Sequence, residues 1–169
     1  NADPKYTLGW NNGFTYKNFS LNFLIFARIG GVGVSATQAM MDAYGVSKTT
    51  ADARDRGNVM INGYPYNDIQ NYYTQMGSGL NGVLGYYVYS ATNVRLKELS
   101  LAYTIPGKLL GNWVKGVKLA VTGNNLFMFY NKAPFDPEST ASSGTYYQGF
   151  DYFRQPSLRG IGFSINAQF

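Results

Sequence analysis

Apolar and polar residues alternate along most of this chain with a period of two. The final stretch "RGIGFSINAQF" sets Ile161, Phe163, Ile165, Ala167 and Phe169 against Gly162, Ser164, Asn166 and Gln168, the rhythm of a strand with one apolar face. "KGVKLAVTGNNLFMFY" repeats it, with Val117, Leu119 and Val121 opposite Lys118, Ala120 and Thr122. "LKELSLAYTIP" places Leu99, Leu101, Tyr103 and Ile105 against Glu98, Ser100, Ala102 and Thr104, ending at Pro106. "NFSLNFLIFARI" puts Phe19, Leu21, Phe23, Ile25 and Ala27 opposite Ser20, Asn22 and Arg28, with Leu24 and Phe26 blurring the polar side. "YTLGWNNGFTYK" sets Leu8, Trp10, Phe14 and Tyr16 against Thr7, Gly9, Asn11, Gly13 and Thr15. Five strands are predicted, over about 6–17, 19–29, 87–105, 116–130 and 157–169.

The connections alternate in length. Lys17-Asn18 makes a tight hairpin, and a short segment around "GKLLGNWVKG" joins the third and fourth strands. The other two connections, about 30–86 and about 131–156, far exceed the usual length. A helix-like "SATQAMMDAYG" lies in the first of them. An antiparallel meander with short turns at one end, long loops at the other and one apolar face is the pattern of an outer-membrane barrel. Each segment meets the roughly 9 to 11 residues that a tilted strand needs to cross a bilayer, so the apolar side chains are expected to face lipid. A soluble sandwich alternates equally well. Its outer face would carry Lys, Glu and Arg, whereas the polar face here is mostly Ser, Thr, Asn, Gly, Ala and Gln. Lipid supplies no hydrogen bonds and five strands cannot close such a barrel. Further strands, from missing upstream sequence, are expected to pair with these.

Composition narrows the function classes. The 169 residues show no clear linker, so one structural unit is expected. Charged residues make up 14%, against about 25% in ordinary soluble domains. Aromatics reach 17%, with 15 Tyr and 11 Phe, so something other than solvated charge must cover the strands. The net charge of +5 is spread over single basic residues without a run or stripe, which argues against nucleic acid as a partner. The chain has no Cys and no His, which excludes thiol and imidazole catalysis, disulfides and most zinc or haem ligation. No signal peptide opens it, and no apolar run of about 18 residues makes a spanning helix.

Four blocks carry a family likeness: "YTLGWNNGFTYKNFSLNFLI", "ATNVRLKELSLAYTIP", "VTGNNLF" followed by "YNKAPFDPE", and "GTYYQGFDYFRQPSLRGIGFSINAQF". In this order and spacing they resemble the C-terminal part of the SusC/RagA-type TonB-dependent outer-membrane transporters. The resemblance implies an all-β fold: a transmembrane antiparallel β-barrel portion, the last five strands of a 22-stranded barrel, with two long extracellular loops containing some helix. It implies import of a nutrient, a glycan oligomer or peptide, across the outer membrane with TonB-derived energy. The implied partners are a SusD-like surface lipoprotein lid, TonB through an absent N-terminal region, the remaining strands and plug, and outer-membrane lipid. No enzyme activity and no cofactor are implied. Phe169 resembles the terminal signal for barrel assembly, although Ser164 and Ala167 depart from the pattern. The rival reading is a soluble cell-surface β-sandwich that binds carbohydrate.

Candidate site residues come from the long loops. Tyr72, Tyr73, Tyr146, Tyr147, Tyr152, Phe153 and Arg154 offer flat apolar faces with polar handles that suit sugar rings or peptide. The same rings also suit packing of the loops on themselves or on a lid. Trp10, Tyr16, Tyr103 and Trp113 fit an interfacial girdle at the short-turn end, with Lys108 and Lys115 outside it. "GVGVSA", residues 31–36, satisfies G-x-G-x-x-A, but 49–57 holds no strand to complete a dinucleotide fold; its glycines read as a loop exit. Asp136, Glu138 and Asp151 lack calcium-loop spacing, so Asp136-Pro137 reads as a turn and no metal is expected. Asp52 and Asp55, flanked by Arg54 and Arg56, read as solvated ion pairs rather than catalytic acids.

Overall fold

The computed structural model describes residues 1–78, 82–110, 114–139 and 148–168. In chain order the strands are β1 (Tyr6–Tyr16), β2 (Phe19–Ile29), β3 (Val32–Ser35), β4 (Val59–Ile61), β5 (Tyr64–Tyr66), β6 (Val88–Ser90), β7 (Asn93–Pro106), β8 (Gly116–Asn131), β9 (Phe150–Asp151) and β10 (Gly160–Gln168). The helices are α1 (Ala36–Ala43), α2 (Lys48–Arg56) and α3 (Ile69–Met76). Instead of one unit there are two: a sheet unit of Pro4–Gly30, Thr92–Asn131 and Ser157–Phe169, and a loop unit of Asn1–Asp3, Gly31–Ala91 and Lys132–Pro156. The long connections carry helices and a core of their own, which composition did not reveal.

The sheet unit is a single antiparallel sheet in the order β1-β2-β7-β8-β10. β1 and β2 pair without a break from Tyr6↔Ile29 to Tyr16↔Phe19, closed by a turn in which Lys17 takes φ 53°. β7 starts at Asn93, later than expected, because Leu84–Tyr87 forms a 3-10 turn and β6 pairs with β3 instead. Besides a slip opposite β8 between Val94 and Arg95, the register slips at Lys97 opposite both β2 and β8, where Leu96 faces Ile25 and Phe127 while Glu98 faces Leu24 and Asn124. This bulge takes Lys97 out of the pairing. Its ammonium lies 4.5 Å from the ring centre of Phe26, close enough for a cation–π contact. β1 and β10 are the open edges of the sheet.

The loop unit begins where β2 ends. Gly30 and Gly31 take φ 83° and 78°, and a Cβ on Gly31 would lie 2.6 Å from the Ala2 carbonyl oxygen, so the chain reverses there only with glycine. β3 pairs antiparallel with β6 and parallel with β9. Ser35 then caps α1, its Oγ accepting from the Gln38 N–H at 3.0 Å and donating to Asp151 Oδ2 at 2.6 Å. Ser47 and Asp68 cap α2 and α3 in the same way. β4 and β5 form a hairpin across Asn62-Gly63, both with positive φ. The core of the unit is Ala53, Val59 and Tyr73, with Ile69 and Tyr72 packed against it.

Candidate functional site

Register sorts the side chains of the sheet into two faces. One face carries continuous apolar rows across the strands: Tyr16, Phe19, Tyr103, Leu119 and Ile165, then Phe14, Leu21, Leu101, Val121 and Phe163. Apart from contacts with each other these side chains are largely uncovered; Phe163 is 80% exposed and Ile165, Trp10 and Phe14 are also exposed, while Leu21 and Tyr103 are half-buried. The opposite face carries Thr15, Ser20, Ala102, Ala120 and Ser164, then Gly13, Asn22, Ser100, Thr122 and Gly162. A sandwich would bury its apolar face under a second sheet, and no second sheet covers this one among the described residues, which argues against that alternative.

Aromatic residues mark both ends of the apolar face. At the short-turn end Phe19 and Tyr103 pack with centroids 4.6 Å apart, beside Tyr16. Trp10 does not belong to this group. It pairs with Ile25, well along the strand from Tyr16, and meets Phe23 edge-on at 5.4 Å, because strand register rather than residue type sets the height of a ring. Tyr6 and Tyr130 lie at the opposite end. Lys108 stands in the turn beyond Pro106, whereas Trp113 lies outside the described residues.

In the loop unit, α3 and the 3-10 turn bring four tyrosines together. Tyr72 meets Tyr73 edge-on at 5.1 Å, and Tyr86 meets Tyr87 at 5.2 Å. Burial, reinforced by Tyr86, pushes the Tyr72 phenol up to about 12. Tyr87 is fully buried, and burial followed by the Asp42 carboxylate raises its phenol strongly. Tyr73 and Tyr89 are raised for the same first reason, burial. Of the loop residues singled out in the sequence, Tyr73 is buried in the core and Tyr72 is half-buried against it. Tyr152 and Phe153 are exposed and edge-on at 5.1 Å. The Phe153 N–H donates to Thr37 Oγ1 at 2.6 Å, holding that residue at φ 48°, and Arg154 follows it on the surface. Tyr146 and Tyr147 lie outside the described residues.

A groove of about 470 Å³ opens between the end of α1, α2 and the start of α3. Asp42, Tyr44, Arg54, Asn67, Asp68 and Gln70 are among its lining, with Tyr73 contributing from the core side. These positions come from three separate short segments of the chain, and no spacing signal links them. Their common feature, polar residues around a helix-helix junction, appears only once α1 and α3 pack. That packing needs Gly77, where a Cβ would strike the Ala39 carbonyl oxygen.

The remaining motifs resolve locally. The glycines of "GVGVSA" serve the chain reversal and the approach of Phe135, whose ring a Cβ on Gly33 would meet at 2.7 Å. Asp136 Oδ1 accepts from the Glu138 N–H at 3.0 Å, as a turn residue does. Asp151 is buried against Ser35. Among the described residues no three acids gather in a metal-binding cluster. Asp52 pairs with Lys48 at 3.1 Å, one helical turn back, rather than with the flanking arginines. Arg54 instead donates to the Gly45 carbonyl at 2.8 Å.

No family model matches the chain. TonB-dependent receptor P3 of Formosa agariphila is 29% identical over 172 residues, covering 98% of this chain and 16% of the relative. TonB-dependent receptor P39 of the same organism is 27% identical over 168 residues, covering 95% and 16%. The RagAB peptide importer in its open-open state superposes with a TM-score of 0.70 at 18% identity, over 99% of this chain and 17% of that one. Over nearly its whole length the chain is similar to a stretch of TonB-dependent receptors, and it shares the fold of that stretch in the RagAB importer. The closed-closed state of RagAB gives a TM-score of 0.67 at 17% identity, over 97% of this chain and 17% of that one. This chain spans about a sixth of each of these proteins. TonB-dependent receptors are outer-membrane β-barrels and transporters rather than enzymes. No helix among the described residues is long and apolar enough to cross a membrane.

Proposed function

We propose that this chain forms part of the wall and two outward loops of an outer-membrane importer for a nutrient, a glycan oligomer or a peptide. The observation that carries this reading is the division of one open sheet into a largely exposed apolar face and a face of mostly small polar side chains on which Glu98 and Lys118 are the scattered charges. The first suits lipid and the second a lumen filled by protein or water. Both edges of the sheet are continued by further strands, as hydrogen bonding in lipid requires. These five strands are the last of the 22 in a barrel, with the connection of β1 to β2 on the periplasmic side and the loop unit outside the cell. A SusD-like lipoprotein covers the loops, as the RagAB pairing suggests by analogy, and TonB supplies energy through a region beyond this chain. Exposed Tyr152, Phe153 and Arg154 are substrate or lid contacts, with Tyr72 supporting them from a half-buried position; Tyr73 contributes mainly packing.

The test is uptake of labelled oligopeptides and oligosaccharides by cells with and without the gene. Loss of uptake of one class is the expected result. Unchanged uptake of both, with the protein absent from outer-membrane fractions, would overturn the proposal.

A further inference from the structure

We propose that the groove between α1, α2 and α3 binds a short neutral stretch of an oligosaccharide. This deepens the import reading and rests on it for the route of the ligand. The volume of about 470 Å³ falls in the range of small-ligand sites, about 300–1,000 Å³. Tyr44 stands at its wall with 76% of its surface exposed. Its backbone N–H is tied to the Met40 carbonyl at 3.0 Å, so a flat ring is displayed from an ordered turn. Such a ring offers an apolar face to the C–H side of a sugar and a hydroxyl at its edge.

Hydrogen-bonding groups of both kinds surround that ring. Asn67 and Gln70 bring carboxamides, each a donor and an acceptor, and neither side chain has a hydrogen-bond partner among the described residues. Asp68 uses Oδ1 to cap α3 at the Asn71 N–H, 3.0 Å away, and its carboxylate has a second oxygen with which to accept. Arg54 is anchored by one nitrogen on the Gly45 carbonyl, and its guanidinium has further N–H donors. Neighbouring sugar hydroxyls, each able to donate and accept, match this mixture.

Other ligand classes fit less well. A peptide in extended form is held by a strand edge or by pockets for apolar side chains. The lining contains no strand residue and only Ala43 and Ile69 as aliphatic side chains. An anionic ligand would meet Asp42 and Asp68 against the single cation Arg54. Neutral saccharide is the class left.

The experiment is saturation-transfer NMR followed by calorimetry on the full receptor in detergent. The probes are short malto-, cello-, xylo- and manno-oligosaccharides, with tri- and tetrapeptides as the comparison. At least one oligosaccharide series binds, and Tyr44→Ala and Gln70→Ala each weaken it roughly tenfold. Both side chains are exposed, so the variants keep the fold. Binding by none of the oligosaccharides, or binding unaltered in both variants, overturns the inference. Cellular uptake of the same sugars separates the two readings: uptake by wild type and variants alike removes the groove and leaves the importer. Groove binding by a protein that supports no uptake would retain the site and remove the importer.

Discussion

Phe163→Arg separates a lipid-facing sheet from a water-facing one by the sign of its effect. Phe163 lies in the row Phe14, Leu21, Leu101, Val121 and Phe163, and is 80% exposed. The span from Val117 to Phe127 on β8, at about 3.3 Å per residue and a tilt of about 40°, rises roughly 25 Å, the height of the apolar band of an outer-membrane barrel. Phe163 sits opposite Val121, roughly 10 Å above the lower end of that span and near its middle. Arginine facing lipid at this depth costs about 2–4 kcal/mol, falling to about 0–1 kcal/mol near an interface. In water, exchanging so exposed a side chain would change stability by no more than about 0.5 kcal/mol. Urea unfolding of the full receptor in liposomes, with the heat-shifted band on gels as the readout, measures the difference. Asn166→Arg, on the opposite face and paired with Lys118, is the control and should be tolerated. A stable, well-assembled Phe163→Arg protein would refute the assignment of this face.

The loop unit supports three further predictions. Ser35→Ala removes the cap of α1 and leaves Asp151 buried without its hydroxyl donor; a loss of about 1–3 kcal/mol in thermal unfolding is expected, and an unchanged melting curve would deny the cap its role. Gly77→Ala drives a methyl group into the Ala39 carbonyl, so α1 and α3 separate and proteolysis of the loop unit should speed up; an unaltered digestion pattern would contradict this packing. Tyr72 has its folded pKa raised from 10.0 to about 12 by burial and Tyr86. The folded state therefore holds the proton more tightly than the unfolded one, and its contribution is full below pH 10 and lost as pH rises through about 12. Alkaline melting of the loop unit should be less steep in Tyr72→Phe, as followed by circular dichroism.

The five-stranded sheet is readable in the sequence because strands with one apolar face leave a simple imprint. Leu119, Val121, Ile161 and Phe163 alternate with small or polar neighbours, and the structure pairs them on one face. The start of β7 is not legible, since "YYVYS" has strand composition while Tyr87 is fully buried at the end of a 3-10 turn and Val88–Ser90 pair elsewhere. The bulge at Lys97 was also invisible, because a single extra residue changes no local propensity. In the loops, residue type pointed to the right segments but not to roles. Tyr72 and Tyr73 are adjacent, yet only packing decides that Tyr73 enters a core with Ala53 and Val59. Tyr44, Asn67 and Gln70 meet around one groove through the packing of helices distant in sequence, so no window of sequence contained them.

The most direct test of the lipid-facing sheet uses the absence of cysteine from this chain. Single cysteines placed from Ile161 to Gln168 in the full receptor, spin-labelled and reconstituted in liposomes, report exposure to oxygen dissolved in lipid and to a polar nickel chelate in water. Labels at 161, 163, 165 and 167 should be oxygen-accessible and shielded from nickel, alternating with the opposite response at 162, 164, 166 and 168. Uniform nickel access along β10, or an alternation of inverse phase, would contradict a sheet whose apolar face meets the membrane.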